Sequence, residues 1–203
     1  MAFAQVVSDL VCVRVCVGCG DPRGDICPAC AARLKPAASG RIPPGVDRVV
    51  VPWAYEGAGR SLVLRLKLGA ARSAGRPLVA AMRRAAVRAG GLSGIVTWVP
   101  GKPADTRRRG FDHAELLARG VSSGLGLPCR GLLDRRRIPL DQAALSASER
   151  RANLAGVFRA PSSPPEVVLV DDLITTGATA GACAQALRAG GAEIVDLLSA
   201  CRA

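Results

Sequence analysis

Two groups of side chains in this 203-residue chain have the types and spacing to do chemistry. The first is the run Val167-Val168-Leu169-Val170-Asp171-Asp172-Leu173-Ile174-Thr175-Thr176-Gly177-Ala178-Thr179. An apolar strand ends there in two carboxylates and passes into a loop of small and hydroxyl residues that opens a helix. Successive amides of Thr175, Thr176, Gly177, Ala178 and Thr179 can cradle a phosphate at a helix N-terminus, with threonine hydroxyls as further donors and Gly177 allowing close approach. Adjacent carboxylates beside a phosphate make electrostatic sense only if they face hydroxyl groups or a hydrated Mg²⁺. A ribose 5-phosphate supplies both halves, phosphate for the loop and vicinal diol for Asp171 and Asp172. The GK[ST] element is missing, so this is not a Walker A loop.

The second group is Cys16-Val-Gly-Cys19 and Cys27-Pro-Ala-Cys30, two CxxC knuckles separated by seven residues. Four thiolates at this spacing can close a tetrahedral shell around zinc with no open position, which predicts a structural site. Gly18 and Gly20 allow the tight turns that point amides at sulfur. Cys12 is a spare, read as a small apolar filler or a substitute ligand. Cys129, Cys183 and Cys201 stand singly in apolar surroundings and read as buried fillers.

The elements that must position these groups follow from periodicity. Lys35 to Pro44, rich in Pro, Ala, Ser and Gly, reads as a linker between a module at 1–45 and an α/β domain at 46–203. Val46 to Trp53 is strand-like, and Arg60 to Leu68 and Arg76 to Ala89 have helical apolar faces. Gly94 to Val99 is a short strand, Arg107 to Gly110 a basic turn, and His113 to Leu125 a helix. Arg130 to Leu133 reads as a strand and Asp134 to Phe158 as a polar stretch. Val167 to Val170, Thr179 to Ala189 and Ile194 to Ala200 complete a strand, helix, strand series. Strands alternating with helices specify an α/β fold with a mainly parallel sheet. Ligands of such sheets bind at the carboxyl ends of strands, where the Asp171 loop lies.

Composition narrows the classes. The chain is 49% hydrophobic, which excludes global disorder, and only 3% aromatic, too few for a base-stacking platform. Its formal charge of +12 arises from 28 basic residues, of which only Lys35, Lys67 and Lys102 are lysine. All the net excess falls between residues 61 and 158, where a polyanion or a pyrophosphate-bearing molecule would be drawn. No apolar run reaches the roughly 18 residues that cross a bilayer, and Met1 to Val13 lacks a basic n-region, so a cytoplasmic protein with reduced thiols and no membrane insertion is expected.

The run VVLVDDLITTGAT resembles the 5-phosphoribosyl 1-pyrophosphate (PRPP) binding motif of type I phosphoribosyltransferases. With the knuckles, the chain resembles the ComF family of competence-associated, phosphoribosyltransferase-like proteins. Further matching stretches are Tyr55-Glu56-Gly57, Arg60 to Lys67, Arg109-Gly110-Phe111, Gln142 with Leu145-Ser146 and Glu149-Arg150, and Asn153 to Phe158. The family usually follows its RGF with Asn-Gln, where this chain has Asp112-His113. The stretch that in the family tends to read Val-Pro and then further prolines is here Trp98-Val99-Pro100-Gly101-Lys102-Pro103.

The resemblance implies a type I phosphoribosyltransferase-like sheet flanked by helices, with a small N-terminal zinc-ribbon-like module. It places Asp171 and Asp172 on ribose hydroxyls, Thr175 to Thr179 on the 5-phosphate, and Cys16, Cys19, Cys27 and Cys30 on zinc. It implies PRPP or a related ribose phosphate with Mg²⁺ as ligand, a role in natural competence and DNA uptake, and a fold that commonly dimerises. On that reading Gly101 and Lys102 form a pyrophosphate loop, and Arg107, Arg108 and Arg109 clamp diphosphate. The stretch holding Arg135 to Arg137, Gln142, Ser146, Arg150, Arg151 and Asn153 is the candidate closing loop. His113, the only histidine, reads as a surface or capping residue, with general base as the alternative; Trp53 and Trp98 read as core. The competing function is a catalytically silent single-stranded DNA-binding or nucleotide-sensing module, drawing on the same arginines.

Overall fold

The structure is a computed structural model that describes residues 15–16, 18–22, 24–68, 72–136 and 156–203. Cys12, Arg137, Gln142, Leu145, Ser146, Glu149, Arg150, Arg151 and Asn153 lie outside the described residues, and with them most of the expected closing loop.

Helix α1 (Pro28–Ala31) is a single turn begun by proline, whose fixed φ suits a first helical position. Strands β1 (Arg48–Val50) and β2 (Trp53–Ala54) follow, then α2 (Gly57–Leu68) and, after a 3₁₀ turn at Arg72–Ala74, α3 (Gly75–Arg88). Next come β3 (Ile95–Trp98), α4 (Pro103–Arg109), α5 (His113–Leu125) and β4 (Asp134–Arg135). The chain closes with β5 (Phe158–Arg159), β6 (Glu166–Ile174), α6 (Ala178–Ala189) and β7 (Ile194–Arg202).

The main sheet runs β1-β7-β6-β3 with every pair parallel, and β2 continues the β1 edge against Cys201 and Arg202 of β7. This is the α/β architecture that the alternation of patterns predicted. Pro52 explains why the single run expected over Val46 to Trp53 divides into two strands, since proline cannot donate to a ladder. The central strands are buried on both faces and so read as continuous apolar runs. Val168, Val170, Leu198 and Ala200 face a core closed by α2, α3 and α5. Val167, Leu169, Val195 and Leu197 face the opposite core, closed by α6 and by the small antiparallel β4-β5 pair. Leu117 and Val121 of α5 are completely buried, and a fully buried leucine contributes about 1.5–3 kcal/mol.

Three local expectations are corrected. The basic turn at Arg107 to Gly110 is the last turn of α4, a helix started by Pro103 and stopped by Gly110 in the left-handed region at φ 75°. The strand placed at Arg130 to Leu133 is instead a bridge from Cys129 to Val96, and the strand proper is Asp134–Arg135. Strand β6 does not end before the carboxylates: it runs to Ile174, so Asp171 and Asp172 are strand residues. Hydrogen bonding to β7 through Ile174 extends the strand beyond its apolar run.

Candidate functional site

At the carboxyl ends of β3 and β6 lies a cavity of about 400 Å³. It is lined by Gly101 and Lys102 after β3, by Arg108 and Arg109 of α4, by Asp171 and Asp172, and by Thr175 and Thr179. Gly101, Lys102, Arg108, Arg109, Asp171, Asp172, Thr175 and Thr179, singled out in the sequence, thus line one cavity, whereas Arg107 is not part of its lining. Thr176, Gly177 and Ala178 form the loop behind Thr175, where Thr176 Oγ1 accepts from the Ala178 amide at 3.4 Å. Gly177 begins α6 with φ 74°, and a Cβ there would approach Pro43 Cγ to 2.8 Å. The segment read as a linker therefore packs its buried Pro43 over the loop.

Consecutive strand residues point to opposite faces, so the two carboxylates meet different environments. Asp172, 1% exposed, is met on Oδ2 by Lys67 Nζ at 3.0 Å and by His113 Nε2 at 3.3 Å. Burial alone would raise its pKa, but the His113 hydrogen bond and the Lys67 charge outweigh burial and hold it at about 2. Burial would likewise discharge Lys67; the neighbouring carboxylates, Asp172 foremost, reverse this and raise its pKa. Asp171 accepts the Asp172 amide at 2.9 Å, and its pKa is driven well above the ordinary 3.8 by burial and by the neighbouring Asp172 charge. The pair is split into one firmly ionised carboxylate and one that resists ionisation.

His113 is not a surface residue. Its side chain is 12% exposed and faces Asp172, while the capping is done by Asp112, whose Oδ1 accepts from the Ala114 and Glu115 amides. Asp112 Oδ2 accepts from the amide of Gly101, a cavity-lining residue, at 2.8 Å. Lys67 was a lysine of a matching helix in the sequence, with no local signal that it would reach Asp172, over 100 positions away. Arg135 also lines the cavity; it donates to Pro100 O at 2.9 Å and lies over the Phe158 ring at 4.8 Å, and burial lowers its pKa. Arg109 donates through Nη1 to Lys67 O at 3.3 Å, and its Nε is buried without a hydrogen-bond partner.

The cysteine knuckles close into a cluster in which the four Sγ atoms of Cys16, Cys19, Cys27 and Cys30 lie within 4.8 Å of one another. Cys27 caps α1 and Cys30 sits inside it. Burial raises the Cys16 thiol, yet amide donation from Cys27 and Gly18 prevails and brings it down to about 6. Cys30 is pushed up to about 12 by Cys16 and Cys19. A Cβ on Gly18 would stand 2.7 Å from Cys30 Sγ, so this glycine is what lets the sulfur approach. An all-thiol, four-donor set with supporting amides could bind a metal such as zinc. Ile26 packs both on this cluster and on the core under α2, α3 and α5.

A second cavity, about 480 Å³, lies between α3 and α5 and is lined by Arg83, Arg84, Val87, Arg88 and Gly124. Arg83 donates to Gly124 O at 2.9 Å. No helix among the described residues is long and apolar enough to cross a membrane.

No family model matches the chain. Competence protein F of Haemophilus influenzae is 36% identical over 102 residues, covering 47% of this chain and 44% of that protein. DNA utilization protein YhgH is 38% identical over 98 residues in Escherichia coli O157:H7 and 37% identical over 98 residues in Salmonella typhi, covering 47% of this chain and 43% of each relative. Its curated homologues are ComF-family competence and DNA utilization proteins. These names bear out the resemblance. The match spans somewhat less than half the length of these relatives.

Proposed function

We propose that this chain binds a ribose 5-phosphate compound, PRPP among them, at the carboxyl ends of β3 and β6, in the service of competence and DNA uptake. The observation that carries the reading is the buried Asp171-Asp172 pair, directly followed by the Gly177 loop and α6, on the wall of a cavity rimmed by cations. The 5-phosphate lies on the amides of Thr175 to Thr179 and the diol at Asp171 and Asp172. Lys102 and Arg109 supply positive charge to the anomeric side of the sugar.

Asp172 is already paired with the Lys67 ammonium and faces His113 Nε2, and Asp171 resists ionisation, so the pair is a poor cage for a bare Mg²⁺. Magnesium enters this reading only as a companion of the ligand's own phosphates. Cys16, Cys19, Cys27 and Cys30 hold structural zinc, with no position left for substrate.

Calorimetric titration of PRPP with MgCl₂ tests the site. Saturable binding is expected, and at least a tenfold loss when Asp171→Asn and Asp172→Asn are combined in a variant that still folds. Absence of PRPP and ribose 5-phosphate binding to the unaltered protein would overturn the reading.

The second reading is a silent DNA-binding module, favoured by the arginines of the α3-α5 groove and by the names of the relatives. It predicts single-strand affinity that falls steeply with salt and weakens when Arg84 and Arg88 are neutralised. Unchanged affinity in that variant would count against it.

A further inference from the structure

The Gly101 turn, whose amide would be the natural receiver of a second phosphate, already holds an anion. Asp112 Oδ2 accepts from that amide at 2.8 Å, and a Cβ on Gly101 would stand 3.0 Å from the same oxygen. Both oxygens of this carboxylate are in use, because Oδ1 caps α5 through the Ala114 and Glu115 amides. The carboxylate is therefore fixed, and swinging it away would forfeit a helix cap and a charge-assisted hydrogen bond together. Side chains around the same end are engaged as well. Arg108 pairs with Asp105 at 3.4 Å, Arg109 donates through Nη1 to Lys67 O, and Arg135 donates to Pro100 O. On the Thr175 to Thr179 side no carboxylate among the described residues accepts from the loop amides, and Thr176 Oγ1 accepts from the Ala178 amide of its own loop.

We infer that Asp112 is a specificity-determining residue, a built-in anion on the Gly101 amide that weights this site toward ribose monophosphates and against the diphosphate of PRPP. The inference rests on the ribose-phosphate reading of the site and names its preferred substrate class. A phosphate brought to the Gly101 turn meets like charge at hydrogen-bond distance from the amide it needs, and like charges at such range are repulsive in a partly desolvated pocket. A ribose with a single 5-phosphate leaves that turn untouched.

Asp112→Asn separates the charge from the fold. Asparagine caps helices as well as aspartate does, so its Oδ1 can keep α5 capped, while the Nδ2 that replaces Oδ2 is a donor and leaves the Gly101 amide free of both its acceptor and the anion. Calorimetric titration of the full chain with ribose 5-phosphate and with PRPP, both in MgCl₂, gives two affinities for each protein. The expectation is that the unaltered chain binds PRPP no tighter than ribose 5-phosphate. In Asp112→Asn the PRPP Kd should fall by about tenfold or more while the ribose 5-phosphate Kd stays within about twofold. Thermal unfolding of the variant within a few degrees of the parent confirms that the cap is retained. A PRPP to ribose 5-phosphate ratio unchanged by the substitution, or a strong preference for PRPP in the unaltered chain, overturns the inference and leaves the site reading standing. If neither ligand binds either protein, the site reading falls and the inference with it.

Discussion

Asp171 and Asp172 are neighbours in the chain with opposite chemistry, and substitutions at the two should behave oppositely. Removing the charge of Asp172 leaves Lys67 and His113 facing each other without the carboxylate that lies between them. Breaking a buried pair from one side is costly, so Asp172→Asn should lose about 2–4 kcal/mol in urea unfolding at pH 7. Asp171→Asn removes a carboxylate that burial and a like charge oppose, and should cost less than about 1 kcal/mol or stabilise. The pH dependence has defined signs. Asp172 is depressed to about 2 from an ordinary 3.8, so its contribution is present above about pH 3.8 and disappears as pH falls toward 2. Asp171 is raised, so the folded state binds the extra proton and its effect is to lower stability as pH climbs above 3.8. The stability difference between Asp172→Asn and the parent should therefore shrink between pH 4 and pH 2, whereas that for Asp171→Asn should grow above pH 4. Parallel pH profiles for the two variants would contradict the split.

At the scale of elements, the strand, loop and helix from Glu166 to Ala189 were legible because each signal is local: an apolar run, paired carboxylates, small residues, then a helical face. The same holds for α3 and α5, whose ends are marked by Gly90-Gly91 and by Asp112 and Gly126. What could not be read was anything set by a distant partner. Lys67 and His113 reach Asp172 only because α2 and α5 pack on the sheet face that carries it, and no spacing along the chain encodes that meeting. Helix α4 was hidden for a different reason, since Pro103 and three consecutive arginines carry no apolar face; none of its residues is buried. The role of Lys35 to Pro44 was concealed by its linker-like composition, although Pro36 bridges to Trp53 and Pro43 covers Gly177. Gly177→Ala tests this element directly. A Cβ in the left-handed region and against Pro43 should cost about 1–3 kcal/mol in thermal or urea unfolding and weaken ribose 5-phosphate binding. A variant as stable as the parent would show that the loop tolerates a side chain and that its conformation is not restrained as described.

Across the whole molecule, two stabilising systems meet at Ile26: the thiol cluster near the N-terminus and the double-sided core of the parallel sheet. Elemental analysis of the purified protein should return about one zinc per chain. Chelation should loosen the segment around Cys16 to Cys30 first, read as faster amide exchange there than in β6 and β7. Metal-free protein with unchanged exchange in that segment would remove zinc from the account. The basic segment between residues 61 and 158 supplies Lys67, Lys102, Arg108, Arg109 and Arg135 to the β3-β6 cavity and Arg83, Arg84 and Arg88 to the α3-α5 groove, so charge alone could not choose between a small phosphate ligand and DNA. Position can choose. The most direct measurement is a crystal soaked with ribose 5-phosphate. The account predicts its phosphate on the amides of Thr175 to Thr179 and its ribose hydroxyls within about 3 Å of Asp171 or Asp172. Ligand density in the α3-α5 groove with the β3-β6 cavity empty would contradict it.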